Sequence, residues 1–206
     1  MALNEEFYHE NIHTIHFPHN RKPISIGMDK VTINRRSSTV ALEHPKTRLD
    51  FSGIAVGYAI DGAVNILKAH GIVSALINHS GDIYALGAPL AEDSWTMGIT
   101  DPMHSEEIIT TVQIKNQALS TSGNYQNFLI EDGHIVGHIL DPRTARPAST
   151  LLSSTVIADN AIEADALSTG SFVLGGRESK AILQKTENVR FIGVVQKGDG
   201  EELLRF

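Results

Sequence analysis

Hydroxyl, carboxylate and imidazole side chains gather in one stretch of the sequence, Ala118–Pro147. Serine and threonine surround Gly123 in its first part, and His138 lies beside the rigid Asp141-Pro142 turn in its second. The stretch has little apolar material to bury, so we expect a site here rather than part of the core. A glycine turn among hydroxyls can direct main-chain amides at a phosphate, although most such turns are only turns. His138 can be a general base near neutral pH or a hydrogen-bonded structural residue.

A second set of oxygen ligands lies on a predicted helix, Ala161–Leu174. Asp165 and Thr169 are four residues apart and therefore stack on one face of that helix. Hard oxygen atoms on a single face suit Mg²⁺, which completes its shell with water and phosphate oxygens. The structural alternative is a surface aspartate and a threonine that bonds back to its own helix. Spacing alone leaves both interpretations open.

The N-terminal segment is polar and contains His9, His13 and His16, which would share one face if the segment were helical. Such spacing can bind a metal, but no carboxylate completes the set, and solvated imidazoles on a surface segment are the simpler interpretation. We predict a separate polar, histidine-rich segment over residues 1–22 and one folded domain over residues 23–206.

Composition limits the class of protein. The 206 residues carry a net charge of -7, so neither nucleic acid nor an anionic membrane is expected as the main partner, because both require a basic face. Cysteine is absent, which excludes thiolate chemistry and thiolate zinc sites. No apolar run approaches membrane-spanning length, and the first residues lack a signal-peptide pattern. With no cysteine to carry a lipid, the sequence as written predicts a cytoplasmic protein without a membrane span.

The elements that must position these residues follow from hydrophobic spacing. A first long helix is predicted over Ala55–Ala69, a helical turn or two over Glu178–Lys185, and brief strands at the edge of a sheet within Pro23–Leu49. Two strands of a meander are predicted at Trp95–Ile99 and Ile108–Ile114. Further strands are predicted at Ile72–Ile77, Ile83–Leu86, Ser153–Ile157, Phe191–Val195 and Glu201–Phe206. Together they predict an α+β fold, a mixed and largely antiparallel sheet flanked by helices in a single domain.

Six motifs occur along the chain in a defined order. They are Leu49–Asp61, Asn78–Asp82, Trp95–Pro102, Thr121–Tyr125, His138–Thr144 and Ala164–Thr169. Each motif is weak alone, whereas the ordered set spans roughly Pro23–Phe206 and resembles the ApbE-type FAD:protein FMN transferases. The resemblance implies an enzyme that uses Mg²⁺ to split FAD and attaches the FMN moiety through its phosphate to a threonine of a flavoprotein, releasing AMP. Some members of the family instead hydrolyse FAD to FMN and AMP.

The resemblance also assigns roles residue by residue. Asp165 and Thr169 match the magnesium ligands, and Ala55 matches a further ligand through its main-chain carbonyl. His138 matches the base that takes the proton from the acceptor threonine. The flavin-nucleotide pocket is matched by Gly81, Asp82, Thr121, Ser122, Gly123 and Asp141. The implied partner is a threonine-bearing flavoprotein, an electron-transport subunit by resemblance. Because Asp165 is expected to face solvent, Asp165→Ala is expected to stop turnover and leave the fold intact.

The chain departs from the family pattern at four motif positions, Val56, Ser80, Asn124 and Ala145, and in its N-terminal portion. Val56 stands where the first helix motif has a lysine, which removes a positive charge from the nucleotide pocket. An additional N-terminal portion, which supplies part of the FAD site in longer members, is also missing. Two functional classes stay open: an active transferase, completed by oligomerisation or by a second chain, and a flavin-binding or structural relative without turnover. Hydrolysis of FAD without an acceptor is a third possibility.

Overall fold

A computed structural model describes residues 27–124, 128–131, 134–144, 146–198 and 200–206. The predicted histidine-rich segment, residues 1–22, lies outside these ranges, so the interpretation of its histidines as solvated surface residues or as metal ligands is left as the sequence analysis states it. The chain divides into two compact units. The smaller unit contains residues 27–47, 142–144 and 146, and the larger unit contains the other described residues.

Three helices and fourteen strands follow one another along the described residues. The helices are α1 (Ser52–Ala69), α2 (Ala161–Leu174) and α3 (Gly176–Leu183), and a 3₁₀ turn covers Met28–Lys30. The strands are β1 (Val31–Asn34), β2 (Thr39–Leu42), β3 (Ala75–His79), β4 (Asp82–Leu86), β5 (Trp95–Thr100), β6 (Ile108–Ile114), β7 (Gln117–Gly123), β8 (Phe128–Glu131), β9 (His134–Gly137), β10 (Leu140–Asp141), β11 (Arg146–Pro147), β12 (Ser153–Ala158), β13 (Arg190–Lys197) and β14 (Gly200–Arg205).

The larger unit is built on a six-stranded sheet with the strand order β14-β13-β12-β7-β4-β3. Neighbouring strands in this sheet are all antiparallel. β12 is buried along its whole length, and beside it β7 begins with buried residues at Ala118, Leu119 and Ser120. The observed fold confirms the predicted α+β class with a largely antiparallel sheet.

Each face of this sheet is covered by a different layer, because side chains alternate between the faces along a strand. On one face, Tyr84 and Val156 belong to a buried cluster with Ile60 of α1 and Phe172 of α2. On the other face, the neighbouring residues Ala85 and Ile157 pack with residues of β5 and β6, among them Met97 and Ile114. The helices and the β5-β6 pair therefore enclose the sheet between them.

Several predicted elements differ from the structure. β5 and β6 pair in a separate two-stranded sheet and cover the main sheet instead of continuing it. β1 and β2 form their own antiparallel pair in the smaller unit, so the predicted sheet edge in Pro23–Leu49 is wrong. α1 begins at Ser52, three residues before its predicted start, and Gly53 in its first turn has a non-helical backbone conformation. The stretch Ala118–Pro147 begins in the core, contrary to expectation.

None of the helices in the described part of the chain combines the length and apolar character of a membrane-spanning segment.

Candidate active site

One cleft of about 480 Å³ lies within the larger unit. It is lined by the start of α1, the β3-β4 turn, the end of β7, residues 138–140 and one face of α2. The lining residues are Asp50, Ser52, Gly53, Val56, His79, Ser80, Asp82, Thr121, Ser122, Gly123, His138, Ile139, Leu140, Asp165, Thr169 and Val173. The cleft thus brings together most of the predicted site residues, which are distant in the sequence.

A main-chain group of α1 holds the Asp165 side chain, which belongs to α2. Its Oδ2 accepts a hydrogen bond of 3.0 Å from the main-chain N–H of Gly57. The side chain is only 6% exposed, so the prediction of a solvent-facing aspartate is wrong. Burial raises the pKa of the Asp165 carboxyl, and the bond from Gly57 acts in the opposite direction. A buried carboxylate whose charge is poorly solvated is a strong site for a cation.

The close contact between α1 and α2 depends on Gly57. A Cβ at this position would lie 2.3 Å from the carbonyl oxygen of Ala161, and a backbone atom cannot yield to it as a flexible side chain could. Asp61, one turn further along α1, accepts hydrogen bonds from the first two N–H groups of α2, those of Ala161 at 2.8 Å and Ile162 at 3.0 Å. α1 therefore fixes the position of α2 and of the ligands that α2 carries.

A chain of hydroxyl groups connects β7 to α2. The Ser168 Oγ lies 2.9 Å from the Oγ of Ser120 and 2.9 Å from the Oγ of Ser122. The Ser122 Oγ also lies 3.1 Å from the Thr169 Oγ1. Ser168 is fully buried and Ser120 nearly so. The sequence did not predict the contacts of Ser120 and Ser122 with Ser168, although Ser120 and Ser122 are two residues apart on one strand and therefore share the face of β7 that meets α2.

Asp82 follows the turn between β3 and β4. Ser80 and Gly81 both have positive φ in this turn, 54° and 98°, and the Gly81 N–H donates to Asn78 Oδ1 at 3.1 Å. The pKa of Asp82 is raised to about 6, chiefly by burial and also by the negative charge of Asp165, while hydrogen bonds with Ser120 and the Thr121 N–H lower it. Two carboxyl groups therefore influence each other across the cleft.

A profile of the ApbE family matches residues 17–192. The chain belongs to the ApbE family. The FAD:protein FMN transferase of Escherichia coli K12 is 32% identical over 177 residues, which are 84% of this chain and 50% of that protein. The FAD:protein FMN transferase of Treponema pallidum is 36% identical over 161 residues, 73% of this chain and 44% of that protein. The chain thus spans about half the length of these curated relatives.

Solved structures of ApbE proteins share the fold. The crystal structure of the ApbE protein of Thermotoga maritima superposes with a TM-score of 0.77 at 30% identity, covering 87% of this chain and 57% of that one. The flavin transferase ApbE of Vibrio cholerae gives a TM-score of 0.71 at 26% identity, with 87% and 56% coverage. The predicted resemblance is therefore confirmed at the level of family and fold.

The cleft of this ApbE-family chain is acidic. Asp50, Asp82 and Asp165 line it together with two imidazoles, and none of the lining residues identified in the described ranges is a lysine or an arginine. Val56 lines the cleft at the position where the family motif has its lysine. A diphosphate in this cleft would be repelled unless a cation neutralised it. Asp165 and Thr169 offer the hard oxygen donors that suit Mg²⁺, so the residues present fit the metal that the family implies.

Three predicted site residues do not line the cleft. Ala55 is exposed on α1, Gly81 is exposed in its turn, and Asp141 is buried in β10. The cleft gives no support to their predicted roles, which stay predictions.

A further polar group that the sequence analysis missed is Asp101, His104 and Glu107, whose ligand atoms lie within 4.8 Å of one another. Asp101 Oδ1 accepts from the N–H groups of Met103 at 2.7 Å and His104 at 3.0 Å, which stabilises the turn between β5 and β6.

Proposed function

We propose that this chain transfers FMN from FAD to a threonine of an acceptor protein, with Mg²⁺ as cofactor and AMP as the second product. The observation that carries the proposal is that Asp165, Thr169 and His138 line the same cleft of an ApbE-family chain. Two curated relatives carry the name FAD:protein FMN transferase, which supports the assignment of the reaction.

Asp165 and Thr169 are the residues that would hold the metal. Mg²⁺ would supply the positive charge that the diphosphate needs as negative charge builds on the departing AMP. The chain's own contribution is to fix these donors before substrate arrives. The Gly57 N–H orients the Asp165 carboxylate, and the Ser122 hydroxyl contacts that of Thr169. Preorganised donors need no rearrangement during the reaction.

His138 would take the proton of the acceptor threonine. A bond then forms between the threonine oxygen and the phosphorus of the FMN phosphate, while the bond from that phosphorus to the bridging oxygen breaks and AMP leaves with that oxygen. A neutral imidazole is suited to this step near neutral pH. His138 is exposed as well as lining the cleft, so a segment of another protein can reach it.

Hydroxyl groups at the end of β7 would contact the nucleotide. Thr121, Ser122 and Gly123 all line the cleft beside Asp82. The Thr121 hydroxyl is 2.8 Å from that of Thr155 in the adjacent strand, which limits its rotation. This rigid polar wall supports binding of a phosphate or ribose group, in agreement with the role that the family motif implies.

The test is AMP release from FAD by the purified chain, with Mg²⁺ or with EDTA, in the presence and absence of a threonine-bearing acceptor peptide. The proposal predicts AMP only with Mg²⁺ and flavin covalently attached to the peptide. AMP without peptide labelling would identify a FAD hydrolase instead. FAD binding without AMP under any condition would identify a flavin-binding relative and overturn the proposal.

A further inference from the structure

We propose that Ser168 and Ser122 are positioning residues that turn the lone pairs of the Thr169 hydroxyl oxygen toward the cleft, where a divalent cation would bind. The inference rests on the proposed function, in which Thr169 is a metal ligand. Neither serine needs to touch the metal. Their role is to decide which way the proton of Thr169 points.

The argument begins at the main-chain carbonyl of Asp165. A threonine inside a helix commonly donates to the carbonyl four residues earlier, and for Thr169 that residue is Asp165. In this structure the Ser168 Oγ donates to that carbonyl oxygen at 3.0 Å. The Thr169 Oγ1 instead lies 3.1 Å from the Ser122 Oγ on β7. Ser168 thus occupies the acceptor that would otherwise hold the Thr169 hydroxyl against its own helix.

The direction of the remaining bonds follows from counting protons, because a serine hydroxyl has one donor and two acceptor positions. Ser168 gives its proton to a carbonyl, which can only accept. Its contact with Ser122 must therefore be donated by Ser122, at 2.9 Å. The proton of Ser122 is then used, and the contact between Ser122 and Thr169 must be donated by Thr169.

The surroundings of Ser168 keep this direction fixed. Ser168 is fully buried, and its Oγ contacts three protein groups: the Asp165 carbonyl, Ser122 and, at 2.9 Å, the Ser120 Oγ. Ser120 also hydrogen-bonds the Asp82 carboxyl, which can take the Ser120 proton. The Ser168 proton then goes to the Asp165 carbonyl or to Ser120, and in both cases Ser122 must donate to Ser168. A buried network with every member satisfied is rigid.

The consequence at Thr169 is a hydroxyl whose proton points at β7. Both lone pairs of its oxygen remain for a ligand, on the helix face that also carries Asp165. Gly53 adds room on that side, because a Cβ there would come within 3.3 Å of the Thr169 methyl group. A pure acceptor next to a buried carboxylate is what a hard cation requires.

The experiment compares Ser168→Ala and Ser122→Ala with the unchanged chain. Mg²⁺ binding is measured by isothermal titration calorimetry without FAD, and the thermal midpoint is measured in EDTA. Ser179→Ala is the matched control, since Ser179 is also fully buried and donates to a helix carbonyl, that of Ser171 at 3.1 Å. Ser179 belongs to α3 and does not line the cleft.

We expect Ser168→Ala and Ser122→Ala to bind Mg²⁺ about tenfold or more weakly, the range found for groups that orient metal ligands, and Ser179→Ala to bind as the unchanged chain does. Ser122 is only half-buried, so Ser122→Ala tests the same chain of bonds should Ser168→Ala fold poorly. Unchanged Mg²⁺ affinity in both Ser168→Ala and Ser122→Ala would overturn the inference and leave the proposed function standing. An equal loss in Ser179→Ala would reveal a general packing effect and also overturn it. No Mg²⁺ binding by the unchanged chain would overturn both.

Discussion

The main-chain N–H of Gly57 and the carboxylate of Asp165 form a hydrogen bond of 3.0 Å between residues that are 108 positions apart. The bond links the two long helices beside the cleft that Asp165 lines. It makes Gly57 a part of the site although glycine has no side chain. It also explains why Asp165 can be buried, since one of its oxygens has a permanent donor.

Asp165→Asn is a sharper test of the metal site than the alanine substitution, because an asparagine oxygen can still accept from Gly57. We expect Mg²⁺ binding and Mg²⁺-dependent AMP release to fall to background. Burial raises the pKa of Asp165, so the charged form is disfavoured in the folded protein, and the thermal midpoint in EDTA at pH 7 should be unchanged or higher. A midpoint lowered by about 5 °C or more would show a structural role for the charge instead.

Gly57→Ala is expected to destabilise the protein and to weaken metal binding together. The added methyl group would meet the Ala161 carbonyl oxygen at 2.3 Å, which forces the two helices apart. Overpacking of this kind costs about 1–3 kcal/mol in free energy of unfolding. Chemical denaturation and Mg²⁺ titration measure the two effects.

Gly62→Ala is the matched control on the same helix, since nothing lies within 4 Å of its Cβ position. It should leave metal binding unchanged and raise stability by up to about 1 kcal/mol through helix propensity. Equal behaviour of the two variants would refute the close-contact explanation.

The pKa of Asp82 predicts a stability that falls as the pH rises. Its pKa in the folded protein is about 6, against 3.8 for an exposed aspartate, so the folded state holds the proton more tightly between these values. The charged form of Asp82 therefore lowers the free energy of unfolding. This effect is absent below about pH 4, grows between about pH 4 and 6, and is fully present above about pH 6. Asp82→Asn should raise the free energy of unfolding at pH 7.5 by something on the order of 1 kcal/mol, discounted for partial exposure, and change little at pH 4. A pH-independent effect in denaturant titrations would contradict this assignment.

His138→Gln is expected to lower FMN transfer to the acceptor peptide by about 10²- to 10⁴-fold, the usual contribution of a general base. Mg²⁺ affinity and the thermal midpoint should stay unchanged, because the side chain is exposed. His70→Gln provides a control, since His70 is exposed at the end of α1 and does not line the cleft. Transfer that survives in His138→Gln, measured as flavin fluorescence on the peptide, would assign the base elsewhere.

Helix α2 shows what the sequence reveals well. Its predicted and observed bounds agree because both ends carry local signals: the Asn160 side chain accepts from the Glu163 N–H, and Gly175 ends the helix with a φ of 83°. Helical spacing predicted that Asp165 and Thr169 share one face of this helix, and the family motif implied that both are metal ligands. These features are local in sequence, so they can be read without knowing the partner elements.

β7 shows what the sequence conceals. Ser120 and Ser122 look like surface residues in a hydrophobicity pattern, yet their hydroxyls meet Ser168 on a helix 46 to 48 residues later. Burying a hydroxyl costs little free energy once it forms a hydrogen bond with another hydroxyl. The partner is brought near only by the tertiary fold. The same reasoning applies to Asp165, whose burial depends on a main-chain donor in α1. Predicting such burial would require the tertiary partners in advance.

The long sequence separations within the cleft have a kinetic consequence. The bond from Gly57 to Asp165 closes a loop of 108 residues, and the contact of Ser122 with Thr169 closes one of 47. Closures of this length come late in folding, because chain entropy opposes them until the surrounding sheet has formed. A cation that can bind only after both contacts have formed finds no binding site in the folding transition state. In stopped-flow experiments Mg²⁺ is therefore expected to slow unfolding and to leave the folding rate unchanged.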